Sequence, residues 1–381
     1  MARNICVDGH VLDQGYFRSG LNRYCANLLR QMERVSRGFD HFRLHTFIPS
    51  EAEIERNALV GRQGFELAPH PAMRFRRLWR RGVFALAARG LKADAVFMPC
   101  PGPVYFKLTS LAITVHDIIP LLFPEDYRAP RFARARRHLK SSMRWADLIF
   151  TDSECSKRDM ASTYQLPPER IVVAHLGFDS DLFQPKRCNP SNGPGVLQRY
   201  GIDRPYVLHT GVLSPRKNLV RLVRAYQLLL NRQKHLSLQL VLCGHEDWGC
   251  EDLHRLIQES ELQGRVILTG SVPDSDLVVL YQEAACCAMP SLYEGFGLPV
   301  LEAMASASPV ICSNRSSLPE IAGDAALYFD PESEEEMAAA MEKLLDDSAL
   351  RRQLVDRGME RAKRFSWESC ARTTLAALES L

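Results

Sequence analysis

The sequence predicts an α/β protein made of two similar halves, each a parallel β-sheet wrapped by helices. Short apolar runs of strand length alternate with helical periodicity in both halves, which is typical of strands joined by crossover helices. A polar stretch with Asn, Ser, Gly and Pro separates the two series at 185–194 and marks a linker. A chain of 381 residues also exceeds what one hydrophobic core usually supports. We therefore expect one domain over 1–185 and a second over 195–366.

In the first half, six apolar runs predict strands, and helical periodicity occupies several of the intervals between them, for example at 21–34 and 155–164. The predicted strands are 5–7, 44–47, 95–98, 112–115, 148–151 and 171–173. The chain runs directly into the first strand, so we expect no signal peptide ahead of it.

The second half repeats the alternation and ends in helices with recognisable starts. The predicted strands are 206–209, 238–243, 266–269, 286–290, 309–312 and 327–329. Ser333 and Glu336 have the spacing of a helix capping box. The tetrapeptide Phe365-Ser366-Trp367-Glu368 predicts the start of a final helix over 369–381.

The most informative segment is Ser-Leu-Tyr-Glu-Gly-Phe-Gly-Leu-Pro-Val-Leu-Glu at 291–302, where an apolar strand-like run becomes a helix with Pro299 near its first position. Gly295 and Gly297 permit backbone angles that let amide N–H groups point at ligand oxygens. Two carboxylates, Glu294 and Glu302, flank this loop. We place Glu302 in the first helical turn, where a carboxylate is favoured and can accept both hydroxyls of a ribose diol.

The segment does not match two common phosphate-binding motifs. A dinucleotide-binding fingerprint would need a third glycine at 300, which is Val300, and no Walker-type phosphate loop is present. As isolated residues, Glu294 would be a solvated loop charge and Glu302 a helix-start acid. Their joint spacing around a glycine loop favours a ligand site.

A second loop with phosphate-binding character is Gly-Val-Leu-Ser-Pro-Arg-Lys-Asn at 211–218, between the predicted strand at 206–209 and a helix predicted over 219–230. Arg216 offers a planar fork and Lys217 a compact charge, so together they suit a diphosphate. An isolated Arg-Lys pair is more often a solvated surface feature.

These residues together resemble a known family. Glu294, seven residues, then Glu302, continued by Ala303-Met304-Ala305, is similar to the signature of the retaining GT-B glycosyltransferases of family 4. The similarity extends through 313–331, including Leu-Pro-Glu-Ile-Ala-Gly-Asp-Ala-Ala at 318–326, and back to 211–219. The N-terminal half resembles the family more loosely. The resemblance implies a GT-B fold: two Rossmann-like domains with an interdomain cleft, and a C-terminal crossover helix at 367–381 that returns to the first domain.

The resemblance assigns roles to several residues of the chain. The donor-binding set is Gly20, Gly211, Arg216, Lys217, Glu294, Gly295, Phe296, Gly297, Leu298 and Glu302. The catalytic set is His116, Glu294, Lys217 and Arg216. Many members carry Gly-Arg early in the 211–218 loop, where this chain has Gly211-Val212, so a second cationic contact has to come from Arg216 or is missing.

In the first half, the segment 19–24, Ser-Gly-Leu-Asn-Arg-Tyr, resembles the family's glycine loop but is poorer in glycine. Val115-His116-Asp117 follows an apolar strand, where open α/β sheets place ligands. The resemblance puts His116 beside the transferred sugar, with Asp117 orienting it or capping the next turn. Asp152 begins a Ser-rich segment that either resembles the family's helix start or is only a helix N-cap. Gly-Phe-Asp at 177–179 resembles the family's interdomain turn.

The activity implied is retaining transfer of a hexose, with mannose preferred, from GDP-mannose or a UDP-hexose to a saccharide or lipid-linked acceptor. No Asp-x-Asp motif occurs in a metal-binding context, so we expect no metal and no cofactor. Two alternatives stay open: a sugar-nucleotide epimerase of the same fold, and a non-catalytic nucleotide-sugar-binding partner in a membrane-bound assembly.

Composition indicates the compartment of the protein and its possible contact with membranes. The eleven cysteines lack Cys-x-x-Cys spacing, which favours free thiols in a reducing compartment, and no apolar run is long enough to span a bilayer. Residues 1–185 hold 27 Lys and Arg against 19 Asp and Glu. This excess lies in basic segments at 74–92 and 131–144, which suit either an anionic membrane surface or a solvated helix face. We expect a cytoplasmic protein, peripheral at the inner face of the membrane under the first alternative, and no nucleic-acid partner.

Overall fold

The structure is a computed structural model that describes residues 3–12, 20–36, 42–48, 65–69, 83–101, 107–124, 130–186, 193–232 and 237–381. It divides into two compact units, one of Met1–Gly177 with Ser366–Leu381 and one of Phe178–Phe365. The division falls at Gly177, eight residues before the polar stretch at 185–194. Residues 178–185, which the sequence assigned to the first domain, therefore group with the second unit.

The first unit contains a seven-stranded sheet in which all neighbouring strands are parallel. Its strands are β1 (Arg3–Asp8), β2 (Phe42–Ile48), β3 (Phe65–Pro69), β4 (Ala95–Met98), β5 (Ser110–Thr114), β6 (Leu148–Thr151) and β7 (Ile171–Val173), in the order β3-β2-β1-β4-β5-β6-β7. The six predicted strands are confirmed, and β3 was missed. It is an edge strand with only three apolar residues before a proline, a sequence too short to stand out, and an edge position tolerates that proline.

Helices connect these strands and one returns from the C-terminus. They are α1 (Gly20–Ser36), α2 (Phe84–Gly90), α3 (Ile119–Leu122), α4 (Pro130–Trp145), α5 (Glu154–Tyr164) and α14 (Trp367–Glu379). The last helix packs against α1 in the same unit, as expected for a crossover helix. Its start approaches Gly177 so closely that a Cβ there would lie 2.1 Å from the Trp367 amide nitrogen.

The second unit contains a six-stranded parallel sheet, and all six predicted strands are confirmed. The strands are β8 (Tyr206–Thr210), β9 (Gln239–Cys243), β10 (Val266–Gly270), β11 (Cys286–Met289), β12 (Val310–Ser313) and β13 (Ala326–Phe329), in the order β10-β9-β8-β11-β12-β13. The helices are α6 (Gly193–Arg199), α7 (Leu219–Asn231), α8 (Glu251–Glu259), α9 (Asp274–Glu283), α10 (Leu298–Ala305), α11 (Leu318–Ala322), α12 (Glu334–Asp346) and α13 (Ser348–Ala362).

Strand order determines which loops can meet. Strands β8 and β11 are neighbours, with Val207 opposite Cys286, so the loops that follow them leave the same edge of the second sheet. These loops contain the two segments that the sequence singled out, 211–218 and the first part of 291–302. In the first sheet β5 and β6 are neighbours in the same way, which brings the residues after Thr114 close to those after Thr151. Parallel sheets place their ligand sites at such carboxyl-terminal edges.

Candidate active site

The loop after β8 is held in place by Asn218. This residue has the left-handed backbone conformation, with φ 61°, and its side-chain amide donates to the carbonyls of Pro290 (3.1 Å) and Pro331 (2.6 Å). The carbonyls follow β11 and β13, so one buried side chain ties three strand ends together. A short 3-10 turn over Pro215–Lys217 precedes Asn218 and fixes the positions of both predicted cations.

Glu294 lies against both cations. The Lys217 ammonium donates to Glu294 Oε1 at 2.5 Å, and the Arg216 guanidinium donates to Oε2 at 3.1 Å. The Ser291 hydroxyl also donates to Oε1, at 2.6 Å. Glu294 and Lys217 are each only 6% exposed. The structure thus brings together the three residues predicted from two segments that are 77 positions apart.

The charge state of this cluster follows from its neighbours. Burial raises the pKa of Glu294, but the charges of Lys217 and Arg216 and the hydrogen bonds outweigh burial and lower the pKa to about 2. Glu294 is therefore an ionised acceptor at neutral pH. Two cations against one carboxylate leave the cluster with an excess of positive charge, which suits an anionic ligand such as a diphosphate.

The glycine loop is fixed by serines and by one of its two glycines. The Glu294 amide donates to Ser316 Oγ at 2.9 Å, and the Ser317 hydroxyl contacts the carbonyls of Glu294 and Phe296. Gly297 precedes α10 with φ 109°, a conformation that favours glycine. Gly295 does not adopt a positive φ, so the expected conformational requirement holds at Gly297 alone.

The prediction that Glu302 lies in the first turn of its helix is wrong. The helix begins at Leu298, directly after Gly297 ends the loop, so Pro299 and the rest of the first turn precede Glu302. Glu302 is consequently in the second turn, where the helix dipole contributes little. Its carboxylate instead accepts a hydrogen bond from the Tyr281 hydroxyl at 3.0 Å.

The other four residues predicted to bind the donor are Phe296, Leu298, Gly211 and Gly20, and their surroundings differ from one another. Phe296 is buried and its ring meets Phe365 edge to face, with centroids 6.0 Å apart, so its side chain has a packing role. Leu298 is the first residue of α10. Gly211 adopts φ 132° beside the Lys217 side chain. Gly20 is the exposed first residue of α1, so residues 20–24 of the predicted glycine loop, 19–24, are helical instead, and Ser19 lies outside the described residues.

Sequence reasoning missed His209, which is the next-to-last residue of β8 and is fully buried. Its Nδ1 is 3.0 Å from the Ala288 carbonyl, so Nδ1 carries the proton and Nε2 is an acceptor. Within the described part of the chain Nε2 has no hydrogen-bond partner. Burial, and then the Lys217 charge, lower the pKa of His209 to about 4. The available sequence signal was a histidine close to the end of a mostly apolar strand.

In the first unit, His116 follows β5 and its Nδ1 lies 2.8 Å from Asp152 Oδ2. Asp152 follows the neighbouring strand β6 and is 4% exposed. Of the two alternatives for Asp117, the structure supports the second: its carboxylate accepts from the Ile119 amide at 3.0 Å, at the start of α3, while the hydrogen-bonded partner of His116 is Asp152. The Ser-rich segment that Asp152 begins does start a helix, with Ser153 as the N-cap of α5.

The surroundings of His116 favour its charged form. Burial lowers the pKa of His116, but the charge and hydrogen bond of Asp152 outweigh burial, so the pKa is raised above its usual value. The Tyr24 ring packs edge-on against the imidazole, with centroids 4.5 Å apart, and its hydroxyl is 2.9 Å from Thr114 Oγ1. His116 Nε2 is buried and has no hydrogen-bond partner among the residues that the structure describes.

The basic segments are described only in part. Residues 74–82 lie outside the described residues, whereas 83–92 includes α2, on which Leu86 is 59% exposed. The segment 131–144 lies in α4, where Arg137, Lys140 and Arg144 are exposed and Trp145 is 43% exposed. Within the described ranges, no helix is long and apolar enough to cross a membrane, and no group of three or more His, Cys, Asp or Glu could hold a metal ion.

Family profiles and a curated relative that match this chain are all glycosyltransferases. The family profile described as Glycosyl transferases group 1 matches residues 198–361, and that described as Glycosyltransferase Family 4 matches residues 18–182. The O-antigen chain mannosyltransferase B of Escherichia coli is 33% identical over 387 residues, covering 96% of this chain and 97% of that protein.

Solved structures resemble the chain over its full length. A sucrose-phosphate synthase from Thermosynechococcus elongatus is 21% identical, with a TM-score of 0.72 and coverage of 99% of this chain and 98% of the other. Anabaena Alr3699/HepE, solved in complex with UDP and glucose, is 19% identical, with a TM-score of 0.70 and full coverage of both chains. At these identities the likeness concerns the fold alone.

Proposed function

The chain belongs to the group 1 glycosyltransferases of family 4, and from this premise we propose that it transfers mannose from GDP-mannose to a saccharide or lipid-linked acceptor in polysaccharide synthesis. It is a glycosyltransferase with the GT-B fold. The choice of mannose is supported by the Escherichia coli relative named as an O-antigen chain mannosyltransferase, which matches almost end to end. A purely binding role and an epimerase activity are correspondingly disfavoured.

One observation carries the proposed mechanism: Arg216 and Lys217 lie within hydrogen-bond distance of the Glu294 carboxylate. We assign the donor diphosphate to the two cations, because it carries more negative charge than the single carboxylate that lies against them. Glu294 is then available as an ionised acceptor for hydroxyls of the sugar. Glu302 is assigned to the ribose hydroxyls of the same nucleotide.

The transfer step breaks the bond between the sugar C1 and the phosphate oxygen, and the electron pair leaves with the nucleoside diphosphate. Arg216 and Lys217 stabilise the charge that develops on this leaving group. The acceptor hydroxyl forms the new C1–O bond on the face from which the diphosphate departs, and its proton passes to the departing phosphate. The product then retains the anomeric configuration of the donor. Neither glutamate is required as a covalent nucleophile.

We assign His116 to the transferred sugar. The Asp152 carboxylate fixes its Nδ1 proton, which leaves Nε2 to contact a sugar hydroxyl. The raised pKa of His116 makes the imidazolium a donor over a wider pH range than an ordinary histidine provides. In the neutral form Nε2 is an acceptor, so the two protonation states differ in what they can bind.

We further propose that the reaction needs no divalent ion, since the two cations at the cluster can meet the diphosphate charge. We place the enzyme in the cytoplasm, at the inner face of the membrane through 74–92 and 131–144. The exposed arginines and Trp145 on α4 support that surface, because basic residues next to an exposed aromatic suit the boundary between headgroups and acyl chains.

The decisive experiment measures nucleoside diphosphate release from GDP-mannose, GDP-fucose, UDP-glucose and ADP-glucose with a mannose-terminated saccharide acceptor, with and without EDTA. We expect GDP release from GDP-mannose alone, unchanged by EDTA, with an α-linked product in its NMR spectrum. Turnover of a UDP-sugar only would overturn the mannosyl assignment. A β-linked product would overturn retention, and binding without turnover would favour a partner role.

A further inference from the structure

Tyr281 is a fully buried residue of α9 that contacts the carboxylate assigned to the ribose. Its hydroxyl donates to Glu302 Oε2 at 3.0 Å. The Tyr281 ring is itself held edge to face by Phe183, with centroids 5.9 Å apart and planes at 74°. The hydroxyl therefore approaches Glu302 from a fixed direction.

The proton positions in this chain of hydrogen bonds follow from the chemistry of the groups. A phenol has one proton, and a carboxylate can only accept, so Tyr281 donates to Glu302. Thr210 Oγ1, 2.7 Å from the Tyr281 oxygen, must then be the donor of their shared hydrogen bond. Burial, and then the charge of Glu302, raise the pKa of Tyr281 well above its usual value, so the phenol keeps its proton at any working pH.

This chain of hydrogen bonds restricts a side chain that otherwise has considerable freedom. A glutamate in the second turn of a helix has three rotatable bonds, and the helix dipole contributes little at that position. Tyr281 engages one carboxylate oxygen and so limits the rotation of the carboxylate plane. A carboxylate oriented before the nucleotide arrives binds the two ribose hydroxyls with less loss of entropy on binding.

We infer that Tyr281, supported by Thr210, is a positioning residue that orients Glu302 and thereby sets the enzyme's preference for ribonucleotide over deoxyribonucleotide donors. The inference rests on the proposed role of Glu302. Glu302 is partly buried, and a site with such an oriented acceptor discriminates against a ligand that lacks the hydroxyl, because the acceptor then loses that hydrogen bond. A carboxylate that can turn away loses part of this discrimination.

The test compares affinities for GDP and 2′,3′-dideoxy-GDP by calorimetry in the full-length protein. Tyr281→Phe keeps the ring and removes only the hydroxyl, and Thr210→Val removes the next donor in the chain. Tyr206→Phe is the matched control. Tyr206 is as buried as Tyr281, but its hydroxyl donates to the Leu280 carbonyl at 2.7 Å and not to Glu302.

We expect Tyr281→Phe to reduce the ratio of GDP to dideoxy-GDP affinity by about fivefold to tenfold, the usual net effect of one intramolecular hydrogen bond. Affinity for dideoxy-GDP stays unchanged, and Thr210→Val shifts the ratio less, in the same direction. Tyr206→Phe leaves the ratio at its wild-type value even if it lowers the melting temperature.

Two outcomes overturn the inference: a wild-type ratio in Tyr281→Phe, or an equal loss of affinity for both nucleotides, which indicates a purely structural role. Glu302→Gln separates this failure from failure of the proposed function. If Glu302→Gln also keeps the wild-type ratio, the assignment of Glu302 to the ribose is wrong. If wild-type protein binds UDP and not GDP, the same comparison is made with UDP and 2′,3′-dideoxy-UDP, and the GDP assignment is abandoned.

Discussion

Lys217 and Glu294 form a buried ion pair between the loops that follow two neighbouring strands of the second sheet, although they lie 77 positions apart in the chain. Each charge would be unfavourable by itself in so buried a place, and their proximity offsets part of that penalty. The same pair lies where the proposed reaction needs a cation for the leaving diphosphate and an acceptor for the sugar. Structure and proposed catalysis thus depend on the same contact.

The first prediction concerns this pair. Lys217→Met removes the cation and leaves the Glu294 charge with Arg216 and Ser291 alone, so we expect the free energy of unfolding to fall by about 3 kcal/mol. Because leaving-group stabilisation is lost, kcat/KM for the donor falls at least about 100-fold. Urea unfolding at pH 7 and steady-state kinetics measure the two effects.

Lys363→Met is the matched control for stability. Lys363 contacts Glu360 at 2.7 Å, but both side chains are largely exposed, so its removal leaves the unfolding midpoint unchanged. Equal destabilisation by the two variants would show that the buried Lys217–Glu294 pair contributes no more to the free energy of unfolding than an exposed pair does.

A second prediction uses the pKa of His209. The folded protein holds this pKa at about 4, below the ordinary value of 6.5, so the unfolded chain binds a proton more readily. Stability from this residue is complete above pH 6.5 and is lost as pH falls towards 4, by up to about 3 kcal/mol. Unfolding free energies measured from pH 7 to 4 for the wild type and His209→Leu test this. A slope that is the same in both proteins argues against the buried neutral histidine.

The third prediction distinguishes Asp152 from Asp117. Asp152→Asn removes the charge that raises the pKa of His116, so the imidazole should titrate at a clearly lower pH in an NMR titration. Asp117 is a weaker influence on this pKa, so Asp117→Asn produces a smaller shift in the same direction. If the larger shift belongs to Asp117→Asn, the assigned partner of His116 is wrong.

A fourth prediction concerns Gly244, which the sequence did not single out. Its φ is 151°, and a Cβ at this position would lie 1.9 Å from the carbonyl oxygen of Gly211. Gly244→Ala must displace the backbone of the loop at 211–218, which carries Arg216 and Lys217. We therefore expect about 1–3 kcal/mol of destabilisation and a higher KM for the donor. Gly195→Ala is the control, because a Cβ there meets nothing within 4 Å. Wild-type KM in Gly244→Ala would mean that the loop position is not critical for the donor.

The fifth prediction decides between the two interpretations of the basic helix α4. Flotation with vesicles of phosphatidylcholine, with and without about 30% phosphatidylglycerol as the anionic fraction, measures membrane binding. If the helix lies on a membrane, the wild type floats only with anionic vesicles, and the triple change of Arg137, Lys140 and Arg144 to serine abolishes flotation. Flotation of the triple variant equal to that of the wild type favours a solvated helix face.

Most of the secondary structure and part of the site could be predicted from sequence because both depend on local patterns. Apolar runs of strand length identified twelve of the thirteen strands that the structure describes, and the exception is the short edge strand β3. Ser333 caps its helix as its spacing with Glu336 indicated, since its hydroxyl accepts from the Glu336 amide. The loop at 211–218 and the glycine loop within 291–302 were identified for the same reason. The first has two adjacent cations, and the second has closely spaced glycines and carboxylates.

The sequence by itself therefore determined three things: the alternation of strands and helices, the presence of two similar α/β halves, and the residue types in the two loops. Each of these is a property of residues that are close together in the chain. Only the tertiary structure decided the partners: Asp152 for His116, Tyr281 for Glu302, and Lys217 with Arg216 for Glu294. It also decided that the units divide at Gly177. These outcomes depend on which strands are neighbours and on where each helix begins. Strand order brings together residues that lie far apart in the chain, and nothing in the sequence near either residue indicates that they are in contact.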